Sequence, residues 1–156
     1  MKRTTLAGRA ATLLLVLLMI LSMTGCGSSG SGLDKKATYT AVIEVADYGT
    51  ITVLLDQKSA PITCANFVSL AESGFYDGLT FHRIMEGFMI QGGDPEGNGT
   101  GGSGTVIKGE FSANGVKNKL SHTRGAISMA RSNLSYDSAS SQFFIVQEDA
   151  LFLDGQ

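Results

Sequence analysis

One guanidinium and one carboxamide stand in an otherwise largely apolar stretch of this chain, FHRIMEGFMIQGGD, Phe81 to Asp94. Arg83 is a permanently charged donor, and Gln91 both donates and accepts. Around them lie Ile84, Met85, Phe88, Met89 and Ile90. The stretch holds no serine, cysteine or lysine, so covalent catalysis has no nucleophile here. What this set can do is grip an apolar ring and donate hydrogen bonds to it from a fixed direction. In a strand, alternation puts Met89 and Gln91 on one face and turns His82 away from Arg83.

The elements that must position these residues are mostly strands. YTAVIEV (Tyr39 to Val45) and TITVLL (Thr50 to Leu55) are rich in β-branched residues, and the DYG between them supplies turn chemistry, which predicts a hairpin. Pro61 suits a first helical turn. Cys64, Phe67, Val68 and Ala71 then recur at helical spacing until Gly74 stops the helix. GAISMA (Gly125 to Ala130) and SQFFIV (Ser141 to Val146) read as further strands around the polar loop RSNLSYDSAS, and no helical run of useful length occurs in the second half. Period two places Gln142 and Phe144 on one face of SQFFIV. The loop EGNGTGGSGT (Glu96 to Thr105) contains GNGTGG, a formal match to the dinucleotide fingerprint GxGxxG. That reading needs a strand before it and a helix after it. Neither is predicted, so the loop is read as backbone only.

The motifs FHRIMEGFMIQGGD, GNGTGG, ISMA, SQFFI and LFLDG, in this order and with these short spacings, resemble the cyclophilin family of peptidyl-prolyl isomerases across about residues 40–156. The resemblance implies a mainly β fold, the cyclophilin antiparallel β-barrel with a capping helix and the substrate groove on its outer face. It makes Arg83 the catalytic arginine. Phe88, Met89 and Phe144 become the proline pocket, with Leu153 completing its wall. Gln91 becomes the amide that hydrogen-bonds the substrate backbone and orients the arginine. Gln142 matches another groove residue, and Ala130 and Arg131 match the segment whose main chain holds an extended peptide. Phe152 stands where the family often has Trp; it keeps an aromatic surface and loses the indole N–H, which bears on cyclosporin binding rather than on catalysis. Arg131 replaces a common asparagine and adds positive charge at the groove rim. His82 and His122 fall at positions read as structural. No zinc-type Cys/His spacing occurs, and neither metal nor cofactor is expected.

The chemistry agrees with the residue types. Rotation about an X–Pro bond meets an amide barrier of about 18–20 kcal/mol, yet no covalent bond breaks, so no nucleophile is required. In the twisted state the prolyl nitrogen gains a lone pair, and a fixed guanidinium is a suitable donor to it. The contrasting reading is a non-catalytic module that binds proline-containing or unfolded segments.

Residues 1–25 have the basic, apolar, small-residue layout of an export signal: Lys2, Arg3 and Arg9, then AATLLLVLLMILSM. The apolar run is shorter than the roughly 20 residues a spanning helix needs. MTGC (Met23 to Cys26) resembles a bacterial lipobox, which implies lipidation of Cys26. Residues 26–38 then form a Gly/Ser leash to a domain at 39–156. The expected location is outside the cytoplasm, on a membrane. Cys64, in an apolar helical stripe, is read as core, and with Cys26 acylated no intrachain disulfide forms. Beyond residue 25 the chain has nine basic and fourteen acidic side chains, which excludes a polycationic nucleic-acid binder. A monomer is expected. The resemblance also implies further strands and a second helix beyond Gln156, so a truncated domain is expected, with a last groove residue just past the end.

Overall fold

A computed structural model describes residues 33–34 and 37–156. The signal segment, Cys26 and most of the 26–38 leash lie outside the described residues. The first element of the described residues is the predicted hairpin, β1 (Tyr39–Val45) and β2 (Gly49–Leu55), antiparallel, with Tyr39 opposite Leu55 and Val45 opposite Gly49. Alternation sends Ala41, Ile43, Ile51, Val53 and Leu55 towards the core, and Val42 and Leu54 outward.

Helix α1 (Pro61–Glu72) begins at its proline, as predicted. Cys64 and Phe67 are buried, whereas Ala71, the last position of the expected stripe, is exposed, because the helix leaves the core before its final turn. Its end is a Schellman motif: Phe75 N–H donates to the Leu70 carbonyl (2.9 Å) and Gly74 N–H to that of Ala71 (3.0 Å), with Gly74 at φ 73°. At the other end no local side chain caps the helix. Glu110, far along the chain, accepts from Ile62 N–H (3.0 Å), Thr63 N–H (2.8 Å) and Thr63 Oγ1 (2.8 Å). A carboxylate there satisfies orphan donors and complements the helix dipole.

The remaining strands are β3 (Arg83–Met85), β4 (Met89–Gly92), β5 (Ile127–Met129) and β6 (Phe143–Val146), in an antiparallel sheet of order β3-β4-β6-β5. The last two are shorter than GAISMA and SQFFIV suggest. The inner face carries Phe143, Ile145, Ile127 and Met129 against the core of Val53, Leu55, Cys64 and Phe67. Burial pushes the Cys64 thiol up to about 11, so it packs as an apolar group. Among the described residues this is the mainly β architecture with one α-helix that the resemblance implies, together with the 3₁₀ turns Ser112–Asn114 and Leu151–Leu153.

The glycine loop does not open a helix. Asp94, 1 % exposed, turns the loop's backbone inward instead: its carboxylate accepts from the N–H groups of Glu96 (2.9 Å), Asn98 (3.0 Å) and Gly99 (2.5 Å). Burial acts to raise its pKa, but these three donors hold it below the usual carboxylate range. A Cβ at Gly101 would lie 2.1 Å from Asp94 Oδ1, so only glycine fits. The donors a phosphate would need are bound to the protein's own anion.

Replacing Glu110 by Ala frees three donors at the start of α1. The expected loss is about 1–2 kcal/mol, read as a lower urea midpoint at unchanged slope.

Candidate active site

The outer face of the second sheet brings together residues that stand apart in the sequence. Register places Arg83 opposite Gln91, Met85 opposite Met89, Gln91 opposite Phe144, and Phe144 opposite Ser128. Period two then puts Arg83, Met85, Met89, Gln91, Phe144 and Ser128 on one surface. Met89 is 1 % exposed and forms its floor. Phe88 is fixed through the loop before β4: Gln147 N–H donates to its carbonyl (2.7 Å), and Gly87 N–H donates to Gln147 Oε1 (2.7 Å). Phe88, Met89, Phe144 and Leu153, with Arg83 and Gln91, border one part of a cavity of about 700 Å³ that extends to Val53 of β2 and Cys64 of α1. Phe152 is 68 % exposed and lies outside that lining, its ring 5.7 Å from Phe88. His82 does not line the cavity either.

The polar side is a chain of hydrogen bonds with one direction. Arg83 Nη1 donates to Gln91 Oε1 (3.1 Å), and Gln91 Nε2 donates to Gln142 Oε1 (2.8 Å). Gln142 Nε2 donates to the carbonyls of Gly99 (3.1 Å) and Gly101 (2.8 Å). Gln142 is only 9 % exposed and all these contacts are internal, so it holds Gln91 rather than facing the cavity. Arg83 Nη2 also donates to Met85 Sδ (2.9 Å). Ala130 uses its N–H on the Gln142 carbonyl (2.9 Å), continuing the β5–β6 ladder. Arg131 lines the cavity beyond it.

Sequence reasoning missed one part of the wall. His122 stacks on Phe144 with ring centroids 5.9 Å apart and planes 10° from parallel. Its Nδ1 lies 2.8 Å from Asp154 Oδ1 and its Nε2 3.1 Å from Ser128 Oγ. Asp154 also accepts from Ser121 Oγ (2.5 Å) and His122 N–H (2.8 Å). The imidazole is thus pinned edge-on at both nitrogens while its face supports the pocket ring. Ser128 on the Phe144 row was the available signal; Asp154, 32 residues from His122, offered none. Among the described residues no group of three or more His, Cys, Asp or Glu is placed to hold a metal ion.

Comparison with known proteins identifies the family. The family described as cyclophilin type peptidyl-prolyl cis-trans isomerase/CLD matches residues 40–156. A peptidyl-prolyl cis-trans isomerase of Synechococcus elongatus is 46% identical over 116 residues, covering 74% of each chain. Peptidyl-prolyl cis-trans isomerase B of Bacillus subtilis is 47% identical over 116 residues, covering 74% of this chain and 77% of its own. Among solved structures, a Cryptosporidium parvum cyclophilin type isomerase, crystallised in the presence of the dipeptide Ala-Pro, superposes with a TM-score of 0.67 at 34% identity. That match covers 75% of this chain and 73% of the other. The chain belongs to the cyclophilin-type peptidyl-prolyl cis-trans isomerases.

The Asp154 carboxyl is held at about 2, against 3.8 ordinarily, by hydrogen bonds from Ser121 and from the backbone and ring of His122. Its folded value lies below its unfolded one, so the stabilisation is complete above about pH 4 and is lost as pH falls towards 2. Urea midpoints recorded through that window should fall with pH, and Asp154→Asn should flatten the acid limb.

Proposed function

We propose that this chain catalyses rotation about X–Pro bonds in exported polypeptides from a lipid tether outside the cytoplasm. The observation that carries the catalytic reading is the directed chain from the glycine carbonyls through Gln142 and Gln91 to Arg83, beside a pocket of Phe88, Met89, Phe144 and Leu153. The pocket holds the pyrrolidine ring by burial of apolar surface. With the ring gripped, the acyl side swings. The guanidinium, aimed by Gln91, donates to the prolyl nitrogen as its lone pair develops, an interaction stronger in the twisted state than in either planar one. Proline-containing segments as ligands are supported by the structural relative crystallised with Ala-Pro.

The tether is supported by the sequence alone: a basic start, an apolar core, and MTGC followed by a Gly/Ser leash. Dual acyl chains at Cys26 would hold the domain at a membrane through about 0.8 kcal/mol per buried methylene.

Two outcomes are expected. Arg83→Ala should lower kcat/KM for an Ala-Pro peptide on the order of 10²–10³-fold, the cost of losing one transition-state donor. NMR exchange spectroscopy measures this, and binding of the peptide by the unaltered chain with no acceleration would instead identify a binding module. Cys26→Ser should move the protein from the membrane pellet to the soluble fraction and abolish incorporation of labelled palmitate. Retention of label would reject the assignment of that cysteine.

A further inference from the structure

Arg131 stands in the cavity wall with its guanidinium held by rings. Its Cζ lies 5.4 Å from the Phe111 centroid and 5.2 Å from that of Tyr136. The two rings meet edge-to-face at 5.4 Å and 87°, forming a corner. Nη1 donates to the Ser132 carbonyl (2.9 Å). Two loops build the corner and are tied together. Asp137 accepts from Gly109 N–H (2.9 Å) and Asn114 Nδ2 (2.7 Å), and Ile107 N–H donates to the Ala139 carbonyl (2.8 Å). A Cβ at Gly109 would lie 2.3 Å from the Phe111 ring and 2.5 Å from the Tyr136 carbonyl oxygen, so the approach needs glycine. The nearby acids are spent elsewhere: Asp137 on this loop tie, Glu110 on the start of α1. Among the described residues Arg131 forms no ion pair.

The corner also lies at a definite distance from the proline pocket. Ser128 is opposite Phe144, and the ladder continues to Ala130 against Gln142. Arg131 is three residues beyond Ser128 and two past the end of β5, so it lies at most roughly 10 Å along the chain at about 3.3 Å per residue. An extended peptide whose proline rests on Phe144 therefore brings a residue about two or three positions from the proline to this guanidinium.

We propose that Arg131 forms a carboxylate-reading subsite, so that polypeptides with Asp or Glu two or three residues to one side of the proline are favoured substrates. Contact with the two rings and the Nη1 bond to Ser132 restrain the guanidinium and leave its other N–H groups to donate to a carboxylate. The proposal rests on the groove binding X–Pro peptides in extended form.

The test uses alanine-based peptides with a single Ala-Pro bond, in which one Glu, or one Gln as its neutral control, is moved through the three positions on each side of the proline. Exchange rates and chemical-shift titrations are recorded with the full chain. The expected result is a Glu-to-Gln ratio of roughly two to five in kcat/KM and in affinity, the scale of one partly exposed ion pair. It should appear at one or two adjacent positions on one side only and shrink as salt is raised. Arg131→Gln should bring the ratio to one, and Tyr136→Leu should lower it by loosening the stack. A ratio of one at every position in the unaltered chain overturns the subsite, as does a ratio that survives Arg131→Gln. Should no peptide be accelerated, the isomerase reading fails, and the Glu-to-Gln ratio in binding still decides the subsite. If Arg131→Gln does not fold, the ratio in the unaltered chain and its salt dependence decide.

Discussion

The carbonyls of Gly99 and Gly101 can only accept hydrogen bonds, and the guanidinium of Arg83 can only donate them. Between these two ends stand the carboxamides of Gln142 and Gln91, and the difference in polarity leaves each a single orientation. Turning either amide over would set donor against donor or oxygen against oxygen, and around Gln142, 9 % exposed, an unmade bond costs about 1–3 kcal/mol. The direction of Arg83 is therefore set by main-chain oxygens of a surface loop. That loop in turn takes its shape from Asp94, whose buried carboxylate gathers three of its N–H groups. A long, exposed side chain is thus oriented through two amides by main-chain oxygens.

The same sheet serves the core and the site through consecutive residues. Phe143 turns inward to meet Phe67 and Tyr76 edge-on, at 5.5 and 5.6 Å, while Phe144 turns outward to stack on His122. The strand β6 cannot shift by one residue without exchanging the two rings, so the burial that fixes the register of the core also fixes the floor of the pocket. Close packing of Phe143 is thereby a condition of site geometry even though its ring never reaches the cavity.

What could be read from the sequence was whatever repeats over a few residues. The hairpin, the helix beginning at Pro61, and the shared face of Met89 and Gln91 all follow from local periodicity. The site residues quoted by resemblance came as a set because their motifs are contiguous. The rest is non-local. Glu110 caps a helix 47 and 48 residues away, and Asp154 grips a histidine at a separation of 32; no spacing rule reaches so far. Gln142 shows the other limit. Its strand position shares the period of Phe144, but only the fold reveals that its hydrogen bonds run to the loop and to Gln91, away from the cavity. Arg131 was legible as added charge and not as a stacked one, because Phe111 and Tyr136 approach it from different loops.

The internal anion of the glycine loop separates two kinds of variation. Pro95, Glu96, Asn98 and Thr100 lie on the outside of the loop and are exposed, whereas the oxygens that reach Gln142 belong to the main chain. Asn98 Oδ1 accepts from Thr100 N–H (2.9 Å), so the outer side chains steady the rim of the loop, while Asp94 and the Cβ-free positions keep the carbonyls where they are. The outer surface of the loop and its inward hydrogen bonds are thus inherited through different atoms of one segment.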